Sequence, residues 1–168
     1  MQLTGRCLVT PLARDRAAEL NIRLQVIRGE TPPEPANGSS GNRLAIVAAR
    51  CSRSEEKALQ ESARRSGWDV HIEAVTGDSF KDLAQAVSSV SELIGSGRCK
   101  RAVILDENIF RISQLLDSPG PARAAICWDE KSAVESRLQG DSNILLLSNR
   151  LLGMSMLGRI VRAWLKED

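Results

Sequence analysis

The sequence predicts an α/β domain of three layers, a doubly wound, Rossmann-like parallel sheet of five strands, with a small N-terminal extension. Three observations carry this. Residues 102–105, 124–127 and 144–147 are apolar runs too short for helices and rich in Val, Ile and Leu, as strands buried on both faces should be. The segments between them have helical spacing, and alternating strands and helices argue a parallel sheet covered on its faces. Upstream, residues 29–42 (GETPPEPANGSSGN) hold three Pro and three Gly, a composition that cannot bury apolar surface and reads as a flexible linker. The chain therefore divides into an extension at 1–28, a linker at 29–42 and a domain at 43–168.

Within the extension, residues 7–9 suit a strand and 12–20 a short helix. Thr10 can cap that helix, and Pro11 sits where a missing N–H costs nothing. Residues 22–27 alternate enough for a second strand. The domain opens with a strand at 44–48 (LAIVA), followed by a helix at 54–66 whose Ala58, Leu59 and Ala63 share one side. Gly67 is its natural stop. Residues 68–74 (WDVHIEA) alternate as an outer strand should. Asp78 or Ser79 opens the next helix, with Leu83, Ala84, Ala86, Val87, Val90 and Leu93 in its buried stripe, and residues 95–97 (GSG) end it. The three apolar strands and their helices complete the unit, and LGRIVRAWL forms the last helix.

Composition narrows the function classes. In 168 residues the net charge is +2 with acids and bases interspersed, so there is no nucleic-acid footprint. Four cysteines lack paired metal-ligand spacing and read as reduced thiols of a cytosolic protein, with no metal and no cofactor implied. No apolar run approaches the ~18–20 residues that span a bilayer, and the first residues lack a secretory h-region. His71, the only histidine, falls inside a predicted strand and reads as structural. In parallel sheets ligands sit beyond the carboxyl ends of the strands. That rule selects residues 106–111, 128–131 and 148–150.

Two resemblances add to this reading. The phrase LVTPLARDRAAELNI is similar to a segment that recurs in proteins associated with bacterial microcompartments. It implies that residues 1–28 contact a shell or its cargo; the alternative is an extension that packs on its own domain or a sister subunit. From Leu44 to Lys166 the chain resembles the family of ribose-5-phosphate isomerase B and the galactose-6-phosphate isomerase subunits. RAAIC with Asp129 is similar to the family's RAALCHD strand end, and DSNILLLSNRLLG to its DANVLALGARVVG region. The resemblance implies the family's dimer, a sugar-phosphate ligand and aldose–ketose isomerisation.

The catalytic set departs from that pattern. Where the family has a Cys base this chain has Asp106, and the Gly-rich loop CGTGIG has become Glu107, Asn108, Ile109, Phe110 and Arg111. The family's Asp-His pair aligns with Ala49 and Arg50, and the histidine of its HND motif with Gln139. Arg150 matches a phosphate-contacting arginine, and Asp141 and Asn143 also survive. Glycines let a loop aim successive N–H groups at an anion, which Ile109 and Phe110 cannot do cheaply. The leading expectation is a non-catalytic binding, scaffolding or regulatory subunit, with Arg50, Asn108, Arg111, Gln139 and Arg150 as residues for an anion. The alternative is an isomerase that uses Asp106 as base, alone or with a paralogous subunit. The A subunit of galactose-6-phosphate isomerase also carries an Asp at that place, and its DERSA is similar to DEKSA at 129–133. Asp106 has a plainer reading too, as a cap for the helix after its strand.

Overall fold

The computed structural model describes residues 2–3, 25–26, 41–117 and 120–166. The chain separates into two compact units, residues 1–40 and 41–168. In the first, Gln2–Leu3 pairs in parallel with Gln25–Val26, the latter inside the strand expected at 22–27. The strand expected at 7–9, the helix at 12–20 and most of the linker lie outside the described residues.

The second unit alternates strictly. Its elements are β1 (Arg43–Ala48), α1 (Arg53–Arg65), β2 (Asp69–Ile72), α2 (Phe80–Gly95), β3 (Arg101–Leu105), α3 (Ile109–Leu115), β4 (Ala124–Ile126), α4 (Glu130–Leu138), β5 (Ile144–Leu147) and α5 (Met154–Leu165). All pairings are parallel, in the order β2-β1-β3-β5-β4. β1, β3 and β5 are central, and alternate residues on them feed two separate cores. Ala45, Val47, Ile104 and Leu146 pack with α2 and α3. Leu44, Ile46, Val103 and Leu145 pack with α1, α4 and α5. Strands sandwiched in this way have no polar face, hence the continuous apolar runs.

Helix starts follow the local chemistry. Ser52, Ser79 and Asp129 each accept the N–H three residues on, and the third residue's side chain returns the bond, giving three capping boxes. Gly67 closes α1 at φ +80°, a conformation that costs a glycine little.

Two strand expectations need correction. β4 is three residues long and partly exposed rather than buried on both faces, because it is an edge strand that pairs only with β5. The outer strand expected at 68–74 shortens to Asp69–Ile72, since it too has one partner. His71 lies within it, half-buried, with Nε2 3.4 Å from Glu73.

Candidate functional site

From β1 the chain goes outward to β2 on one side and returns to β3 on the other. The sheet therefore has its switch point between β1 and β3, where doubly wound folds open a crevice at the strand ends. Here the crevice is occupied by the protein's own side chains. Asp106 follows β3 and is 0 % exposed. Its Oδ2 accepts from Arg50 Nε at 3.0 Å, and its Oδ1 from Arg50 Nη2 at 2.9 Å. The same Oδ1 accepts the Asn108 backbone N–H at 2.7 Å. Glu107 lies 3.6 Å from Arg50 Nε. The bonds from Asp106 hold the Arg50 guanidinium above its usual pKa.

Arg50 is held from its backbone as well. It adopts φ +45°, uncommon for a residue with a Cβ, and its carbonyl accepts from Asn149 Nδ2 at 2.8 Å. Asn149 follows β5, so three consecutive strand ends, β1, β3 and β5, are tied side chain to chain. The Asn149 Oδ1 is buried and has no hydrogen-bond partner among the described residues.

The other sequence-selected residues separate. Asn108 sits at the N-cap of α3 without a capping side-chain bond; its amide is 3.5 Å from Glu107. Asp106 is thus not the N-cap. It binds the N–H of the cap residue itself, one step before the helix. Arg111 stacks on Phe80, 3.9 Å from the ring centre, which joins α3 to the start of α2. Arg150 is exposed in the turn after β5 and has no ion-pair partner among the described residues. Gln139 ends α4, which places it at the amino edge of the sheet, across the domain from Asp106. Asp141 and Asn143 share that edge. Asp141 pairs with Arg123 and Arg137, and the Asn143 amide bonds the backbone of Arg123 and Pro121. Both hold the entry to β4 against the entry to β5.

Sequence reasoning missed a second feature. Beyond the ends of β3, β4 and β5 lies an apolar crevice of about 170 Å³ lined by Ile109, Phe110, Ile126, Trp128, Leu151 and Leu152, with Cys127 and Ser148. Phe110 and Trp128 are each 64 % exposed. The signal is present in the sequence, as large apolar residues that follow the strands.

Among the described residues no group of His, Cys, Asp and Glu is arranged to hold a metal, and no helix is long and apolar enough to cross a membrane. The described thiols are muted. Burial pushes Cys51 up to about 11, helped by Glu55 and Glu56, and burial also raises Cys99 and Cys127.

No curated protein sequence matches the chain. Among solved structures, ribose-5-phosphate isomerase B of Clostridium thermocellum is similar at 27 % identity and TM-score 0.65, over 74 % of this chain and 84 % of that one. Type B ribose 5-phosphate isomerase of Trypanosoma brucei gives 20 % and 0.67, over 75 % and 86 %. The ribose 5-phosphate isomerase of Thermotoga maritima gives 22 % and 0.64, over 73 % and 85 %. The family model described as Ribose/Galactose Isomerase matches residues 44–168, and it is to this family that the chain belongs.

Proposed function

We propose that this chain keeps the isomerase fold but not independent isomerisation, and acts as a binding, scaffolding or regulatory subunit. One observation carries the reading. The only carboxylate at the base position, Asp106, is wholly buried, with both oxygens engaged by Arg50 and one also by Asn108. A general base needs a lone pair within hydrogen-bond reach of the proton it removes. Asp106 turns both oxygens to an internal guanidinium and presents no surface to a substrate. The surrounding changes act in the same direction. Ile109 is packed into the core and the Asn108 N–H is spent on Asp106, so this loop has lost one of the N–H groups that would hold a developing oxyanion, an interaction worth about 10²–10³ in rate.

The test is conversion of ribose 5-phosphate to its ketose by the purified full-length protein, with an intact type B isomerase as control. No turnover is expected. Turnover within ~100-fold of a typical kcat of ~10 s⁻¹, abolished by Asp106→Asn, would overturn the reading. Turnover that needs a paralogous subunit and is abolished by Asp106→Asn in this chain would overturn it in favour of a heteromeric enzyme.

A further inference from the structure

We infer that the apolar crevice at the ends of β3, β4 and β5 is a binding site for a small, neutral, ring-sized molecule bearing one hydrogen-bonding group, of the phenol class. The inference rests on the reading that this end of the sheet no longer handles a sugar phosphate.

Size, charge and polarity each restrict the occupant. An apolar cavity of ~150 Å³ accommodates benzene, so about 170 Å³ suits one six-membered ring with a small substituent. A pentose phosphate is too large and too polar. The charge argument also excludes a dianion. Arg50 is committed to Asp106, Arg111 lies on Phe80, Arg150 stands exposed in the turn after β5, and none of the three lines the crevice. Phe110 and Trp128 offer ring faces for stacking or edge contact with an aromatic guest, and Ile109, Ile126, Leu151 and Leu152 complete an aliphatic wall.

The polar requirement comes from Ser148. It lines the crevice and is 2 % exposed. Its carbonyl serves the turn, accepting from the N–H groups of Leu151 and Leu152. No hydrogen bond engages its hydroxyl among the described residues, which leaves that group free to donate to or accept from a guest. The Cys127 thiol already donates to Ser136 at 3.7 Å. A largely apolar site whose polar side-chain groups are the Ser148 hydroxyl, the Cys127 thiol and the Trp128 indole N–H selects a guest that is apolar except for one donor or acceptor.

Trp128 supplies the readout, because Trp68 and Trp164 are buried. Full-length protein is titrated with phenol and with benzene while tryptophan emission is followed, with Trp128→Phe as the silent control. Saturable binding of phenol with Kd of order 0.1–1 mM is expected, the range of about −0.6 to −0.8 kcal/mol per heavy atom for a seven-atom ligand. Benzene should bind more weakly. Ser148→Ala should cost phenol about 3–10-fold, one neutral hydrogen bond, and leave benzene unchanged. Leu151→Asp, at a rim position where the side chain is exposed, should abolish both.

Three results overturn the inference: no saturable signal up to the solubility of either probe, binding indifferent to both Ser148→Ala and Leu151→Asp, or Trp128 emission that shifts with protein concentration alone as a dimer forms. The last would make the crevice an interface between copies. Isomerase turnover is measured on the same preparation. Turnover without phenol binding discredits the loss of catalysis, whereas phenol failure without turnover discredits only the apolar site.

Discussion

The Arg50 guanidinium meets the Asp106 carboxylate edge to edge, Nε on Oδ2 at 3.0 Å and Nη2 on Oδ1 at 2.9 Å, across the gap where β1 and β3 part. Paired this way, the two groups match in geometry as well as in charge. The carboxylate is fully buried while the Arg50 side chain is 27 % exposed, so the two halves of the pair are not equivalent. Removing Arg50 strands a buried carboxylate, whereas removing Asp106 leaves a cation that reaches water. We expect Arg50→Ala to cost about 3–5 kcal/mol and Asp106→Ala about 1–3 kcal/mol. Urea unfolding of both variants checks the order, and a larger loss for Asp106→Ala contradicts it.

Acid should weaken the domain at two helix starts. Asp82 has its pKa lowered, first by the Ser79 hydroxyl and then by its backbone N–H. Asp129 is lowered by the Ser132 N–H and then its hydroxyl. A carboxylate depressed on folding binds its proton more readily when unfolded, so its contribution is complete above the unfolded value and lost as pH falls through the folded one. The window therefore opens near 3.8 and extends downward. Denaturation midpoints measured from pH 6 to pH 2 should fall less steeply below pH 4 in Asp82→Asn and Asp129→Asn than in the parent.

Thiol chemistry should be slow in the folded domain. With Cys51 at about 11 and Cys99 and Cys127 raised by burial, little thiolate exists near neutrality, and the thiolate is the nucleophile. Iodoacetamide at pH 7.5, followed by peptide mass spectrometry, should label these three at least ~10-fold more slowly than in the urea-unfolded chain.

Helices α1 and α5 meet where Gly158 faces Ser62. A Cβ on Gly158 would stand 2.8 Å from Ser62 Oγ, and Ser62 is buried. Alanine gains about 1 kcal/mol over glycine inside a helix, so overlap and propensity oppose each other. Gly158→Ala alone should be neutral to destabilising by about 1 kcal/mol, with overpacking as the larger effect. In a Ser62→Ala background the same change should stabilise by about 0.5–1 kcal/mol. A double-mutant cycle in thermal unfolding reads this directly, and equal effects in both backgrounds would refute the close approach.

Central strands were the most legible elements because burial on two faces leaves one kind of residue. Residues 144–147 read as a strand from sequence and form β5 over that span. Residues 102–105 do so within β3, which begins one residue earlier. Ser79 was readable as a helix start because its hydroxyl and Asp82 make a local pair, three residues apart. Edge strands were less legible, and β2 and β4 both came out shorter than their apolar runs. The site was harder still. Arg50 and Asp106 are 56 residues apart, and their pairing follows from strand order, which no local pattern encodes. Gln139 was grouped with Asp106 by motif alone. Helix α4 carries it to the opposite edge, because a crossover helix runs back against its strands.

The order β2-β1-β3-β5-β4 has a consequence for how the domain is made. β5 is fourth in space but last to be synthesised, and it bonds to both β3 and β4. Until residue 147 clears the ribosome, β3 shows an open apolar edge and β4 has no strand to join. The nascent chain can assemble β2, β1 and β3 early, but it must carry the 124–126 segment unpaired while α4 and β5 are still being translated. Completion is then a single late insertion into the middle of the sheet rather than growth at its rim. Transient exposure of that slot makes the nascent chain most prone to aggregation before β5 is in place.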